Sequence, residues 1–124
     1  VNEYLEEIAM YCNREKLTVD IQADIEELSE DKEMILCIVL KSIFTEMIEG
    51  RVYNIEDKDR DIRLEIRCKG SIDIKATTSL NYTKNKDDKI KKKVKESKKI
   101  LNYTRDIYDG KIIRDKNGIE LNIL

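Results

Sequence analysis

DKEMILCIVLKSIFTEMIEG, residues 31–50, is the stretch whose reading decides the fold. Its twenty residues contain no proline and no internal glycine, and Met34-Ile35-Leu36-Cys37-Ile38-Val39-Leu40 are seven apolar residues in succession. Seven apolar residues by themselves suit a buried strand. The length, and the continuation through Ile43, Phe44, Met47 and Ile48, predict instead a helix buried on most of its circumference. Ser29 or Asp31 can cap its start, Glu30 and Glu33 complement the positive end of the helix dipole, and Gly50 can end it. Lys41, Ser42, Thr45, Glu46 and Glu49 recur at three- and four-residue spacing toward the C-terminal end. That polar stripe faces either water or a site.

Before this helix, Leu5, Ile8, Ala9 and Cys12 fall at helical spacing and predict a lead-in helix within residues 1–14. Leu17, Val19 and Ile21 alternate with Thr18, Asp20 and Gln22 as in a half-buried strand, and residues 24–30 read as an acidic linker. After Gly50, a short strand is expected at Val52, Tyr53 and Ile55, with a charged turn over residues 56–60. Ile62, Leu64, Ile66 and Cys68 then alternate with Arg63, Glu65 and Arg67, the cleanest strand pattern in the chain. Lys69-Gly70-Ser71 turns it into a second alternating run, residues 72–76. Residues 77–88 are polar and aperiodic, which predicts a mobile, lid-like loop. Ile90, Val94, Ser97, Leu101, Thr104 and Tyr108 mark one face of a helix that stops at Gly110. A terminal hairpin, residues 111–114 and 119–124, is expected to turn at Asn117-Gly118. The sum is one α+β domain spanning residues 1–124. It should be a two-layer α/β sandwich with one mixed, mostly antiparallel sheet and helices covering one face.

Charged residues are 40% of the chain yet balance to a net charge of −2, so no global field calls for nucleic acid or membrane. No apolar run is long enough to span a bilayer. The start at Val1, without methionine or signal pattern, reads as a piece excised from a larger protein, which can itself be membrane-bound. Cys12, Cys37 and Cys68 are far apart and odd in number, which predicts buried free thiols in a reducing cytosol. The chain has no histidine, so His-containing zinc patterns, His-dependent triads and a phosphoacceptor histidine are excluded from it.

This order of elements resembles the ATP-binding domain of sensor histidine kinases, the Bergerat-type (GHKL) fold also seen in gyrase and MutL. LSEDKEMILCIVLKSIFTEMIEG (28–50) is similar to the family's helix that ends in a Glu-x-x-x-Asn box. DIRLEIRCKGSIDI (61–74) is similar to the strand entering the Asp-x-Gly-x-Gly turn, and RDIYDGKIIRDKNGIELNIL (105–124) to the final helix, Gly-Gly turn and hairpin. The resemblance covers roughly residues 17–124 and is closest to the short kinase domains that pair with DNA-binding response regulators.

The family's box places a Glu and, four residues later, a magnesium-binding Asn on positions that here are Ser42 and Glu46. A carboxylate is a competent hard ligand, so Glu46 is the one candidate for magnesium. The adenine-reading Asp falls on Cys68, which cannot accept the base's amino proton as a carboxylate does. Gly70 keeps the turn, and Ile72 replaces its second glycine. The glycine-rich lid, which supplies backbone N–H groups to phosphates, has no counterpart, because KNKDDKIKKKVKESKK (84–99) contains no glycine.

The resemblance therefore implies a kinase-shaped domain with degenerate nucleotide motifs, inactive alone and without a cofactor. It would serve signal transduction through conformation, or through contact with a partner kinase subunit or response regulator. One alternative is a working ATP- and magnesium-binding histidine kinase domain, dimeric through upstream helices, with Glu46 on magnesium and the lysines on phosphate. Another is a basic-helix adaptor for nucleic acid. The plainer readings are a solvated helix edge or a non-nucleotide contact for Ser42 and Glu46, a packed strand-end thiol for Cys68, and an exposed helix face or frayed loop for the nine lysines of residues 84–99. The lysine run lacks interleaved aromatics, so no sequence-specific nucleic-acid reading is expected.

Overall fold

The computed structural model describes residues 1–54 and 61–123. The central helix α2 (Glu30–Phe44) starts at Ser29 rather than Asp31: the Ser29 hydroxyl accepts the Lys32 N–H at 3.3 Å. It continues into one π turn (Thr45–Glu49), closed by the Gly50 N–H donating to the Thr45 carbonyl at 2.8 Å. Leu36, Val39, Leu40, Ile43 and Met47 line its core face. On one flank runs α1 (Asn2–Arg14), whose Tyr11 ring meets Phe44 edge to face at 5.0 Å. On the other runs α3 (Asp88–Ile107), which buries Ser97, Leu101 and Thr104.

Beneath the helices lies a five-stranded sheet of β1 (Thr18–Ile25), β3 (Asp61–Lys69), β4 (Ser71–Thr78), β6 (Lys111–Asp115) and β7 (Gly118–Ile123), ordered β1-β3-β4-β7-β6. Among the described residues only the β1–β3 pair is parallel. Alternation in the sequence becomes two faces: Ile62, Leu64, Ile66, Cys68, Ile72, Ile74, Ala76, Ile119, Leu121 and Ile123 are buried under the helices. Glu65, Arg67, Lys75, Glu120 and Asn122 stand on the exposed face. The α+β, two-layer expectation holds, with a mixed and mostly antiparallel sheet.

Four local expectations differ. The sheet is not single, because β2 (Arg51–Tyr53) pairs antiparallel with β5 (Tyr82–Lys84) in a separate two-stranded ribbon. Residues 77–88 are accordingly no structureless loop. Thr77 and Thr78 end β4, Leu80 is buried, β5 follows, and Asp88 already belongs to α3. Ring packing supplies what aperiodic polar sequence concealed: Tyr82 meets Tyr53 at 5.7 Å, and the Arg51 guanidinium sits 4.0 Å from the Tyr82 ring centroid. The acidic linker shrinks to residues 26–29, since Asp24 and Ile25 extend β1 alongside β3.

The terminal hairpin turns at Lys116-Asn117, with Gly118 already in β7. There the Asp115 carboxylate accepts both the Asn117 and Gly118 N–H groups, at 2.7 and 2.9 Å. Ile55, residues 56–60 and Leu124 lie outside the described residues. Among the described residues, no helix is long and apolar enough to cross a membrane.

Candidate functional site

Of the polar stripe, Lys41 faces solvent, whereas Ser42, Thr45 and Glu46 face protein. Ser42 and Glu46 are 3% and 7% exposed, so neither lies on a solvated edge, and both make contacts within the protein. Ser42 donates its hydroxyl proton to the Ile38 carbonyl at 2.9 Å, satisfying itself within the helix. Glu46 reaches across to the terminal hairpin, where Arg114 Nε donates to its Oε1 at 2.8 Å and a second guanidinium nitrogen lies 3.5 Å from Oε2. Asn102 of α3 accepts from the same guanidinium at 3.3 Å, so three elements meet at this arginine. Next along the helix, Thr45 donates to Glu49, and Glu49 pairs with Lys93 of α3 at 2.9 Å.

The other three motif positions lie elsewhere. Cys68 and Ile72 are each 1% exposed and pair with each other across the β3–β4 turn, their side chains in the core. Gly70 makes that turn with φ +81°, its N–H donating to Glu26 Oε1 at 2.8 Å and its carbonyl accepting from the Lys32 ammonium at 3.5 Å. Lys32 marks the first turn of α2 and Glu46 the far end. Fourteen residues at the helical rise separate the two groups by about 20 Å. The structure therefore gathers Cys68, Gly70 and Ile72 at one end of α2, and Ser42 and Glu46 at the other.

These groups set two obstacles to magnesium nucleotide. Glu46 would have to abandon Arg114 to hold a metal ion, leaving a guanidinium uncompensated beside the cation. At the other end, burial first, and then the carboxylates of Asp73 and Glu26, push the Cys68 thiol up from its usual range despite the opposing charge of Lys32. The thiol is neutral and inward-facing, a packed strand-end group.

Burial alone drives Cys12 from 9.0 up to about 11. Since the unfolded chain would release that proton near 9.0 and the folded one near 11, this thiol's contribution to stability falls as pH climbs through that window. Cys37, expected inside the apolar helix, is only half-buried. Disulfide-exchange labelling at about pH 8 should therefore modify Cys37 first, with Cys12 and Cys68 reacting only on unfolding. Equal rates at all three thiols would show that the core opens readily.

What gathers at the Glu46 end is a cleft of about 540 Å³ between the end of α2, the β2–β5 ribbon, α3 and the terminal hairpin. Among the described residues, six cations line it, Arg51, Lys84, Lys91, Lys98, Arg114 and Lys116, against two carboxylates, Glu46 and Asp115. Val94 and Ile119 add apolar wall, and Tyr82 an aromatic one. Sequence reasoning marked the lysines of residues 84–99 but missed Arg51, Arg114 and Lys116. Each is a single basic residue in a short strand or turn, and only the tertiary fold brings them together. No family model and no curated protein matches the chain.

Proposed function

We propose that this chain is the kinase-like domain of a two-component sensor. In this reading it works by contact with a partner kinase subunit or response regulator, without transferring phosphate itself. The observation that carries the reading is the separation of the motif positions. Groups that would read adenine and hold magnesium sit at opposite ends of α2, and Glu46 is committed to Arg114. The element order and the two-layer sandwich support the likeness to the kinase fold. A second reading, an ATP- and magnesium-binding kinase domain, is favoured by the lysines beside Glu46.

Calorimetric titration of ATP and ADP, with and without magnesium, separates the two. The expected result is no heat of binding below roughly millimolar nucleotide, a limit corresponding to only about 4 kcal/mol of affinity. Micromolar magnesium-dependent binding would replace the first reading with the second.

A further inference from the structure

We infer that the cleft at the C-terminal end of α2 is a docking site for an extended acidic segment of a partner protein. The inference rests on the partner-contact reading above and names the chemistry of the contact. Both carboxylates that line the cleft among the described residues are already spoken for within the chain: Glu46 by Arg114, and Asp115 by the backbone N–H groups of Asn117 and Gly118. Lys84, Lys91, Lys98 and Lys116 make no ion pair among the described residues, so their positive charge points at whatever enters. The Arg51 guanidinium sits over the Tyr82 ring at the ribbon side and extends the same field.

Why carboxylates on a peptide rather than phosphates? Phosphate sites are built from backbone N–H groups and helix N-termini. Here those donors are consumed internally. The Asp87 side chain accepts the Lys89 and Ile90 N–H groups at 2.9 and 3.3 Å, placing a carboxylate where an anion would meet the α3 N-terminus. Gly50 N–H donates to Thr45 and Asn85 N–H to the Gly50 carbonyl, closing the ribbon's own backbone. What remains is lysine ammoniums, compact charges on flexible stems that pair with carboxylates without demanding a fixed geometry. An apolar strip of Val94 and Ile119 suits aliphatic residues between the acids.

Fluorescence anisotropy of fluorescein-labelled octaglutamate on the whole chain tests this. The triple variant Lys84→Gln, Lys91→Gln, Lys98→Gln should bind roughly tenfold more weakly, three partly screened pairs being lost. A control removes the same charge from α3 positions that do not line the cleft, with Lys89→Gln, Lys92→Gln, Lys99→Gln. It should change binding less than roughly twofold, because seven-residue spacing keeps Lys91 and Lys98 on one face and Lys92 and Lys99 on another. Circular dichroism and urea midpoints of both variants confirm that each is folded. Equal losses in the two triples, or no octaglutamate binding by the unmodified chain, overturn the inference while leaving the partner-contact reading in place. Tighter binding of inorganic triphosphate than of octaglutamate, lost with Lys84, Lys91 and Lys98, reassigns the cleft to phosphate and overturns it too. Displacement of the peptide by micromolar magnesium-ATP overturns both.

Discussion

Arg114→Ala should destabilise the protein by about 2 kcal/mol in urea denaturation at neutral pH. Stranding one partner of a buried ion pair commonly costs more than that, about 3–5 kcal/mol, because the remaining charge keeps its desolvation and loses its counter-ion. The lower figure applies here since the Arg114 side chain is 30% exposed while Glu46 is 7% exposed, so water screens one member. The variant also strips the Asn102 carbonyl of its donor. Combining it with Glu46→Gln should recover part of the loss, a coupling of about 1 kcal/mol in the double-mutant cycle. Strict additivity of the two single variants would mean that the pair is idle. The same variant bears on function. If Glu46 were a magnesium ligand held in check by Arg114, freeing it would create magnesium-dependent nucleotide binding, and none is expected.

The second large effect belongs to Gly118, for a reason unrelated to turns. A Cβ at this position would overlap the Ala76 carbonyl oxygen and stand 3.0 Å from the Thr77 Cα. Those are backbone atoms of β4, fixed by the β4–β7 ladder in which Thr77 lies opposite Gly118. No rotamer change relieves the contact, so the strands must part. Gly118→Ala should therefore lose about 3 kcal/mol, the upper end for overpacking, read as a fall in the urea midpoint at unchanged slope. Gly70→Asn is the contrasting variant. Gly70 has φ +81° with nothing within 4 Å of an added Cβ, and asparagine tolerates left-handed backbone, so stability should be nearly unchanged. An unchanged midpoint for Gly118→Ala would show that β7 shifts freely against β4.

Both effects sit where the reading of the chain was least informative. Gly118 was legible as half of an Asn-Gly turn, and the hairpin is real, but the turn falls one residue earlier. The glycine is required by a neighbouring strand forty-odd residues away in sequence. Glu46 was legible as a polar position on an apolar helix. That it is buried follows from Arg114, sixty-eight residues on, and no local pattern records the partner.

Periodicity by itself determined the elements whose burial repeats along the chain. The helix of α2, the period-two runs of β3 and β4, and the face of Ser97, Leu101 and Thr104 on α3 all appear where hydrophobic spacing put them, although α2 is not buried on most of its circumference, since Met34 and Ile38 are exposed. These patterns hold because a helix or strand with one apolar side has few ways to hide it. Tertiary structure alone decided the rest: the pairing of β2 with β5 through Tyr53, Tyr82 and Arg51, the distance between Cys68 and Glu46, and the convergence of six cations on one cleft. Each depends on contacts between residues far apart in the chain. Spacing along a sequence reports which side of an element is apolar, but not which charge another element will bring to meet it.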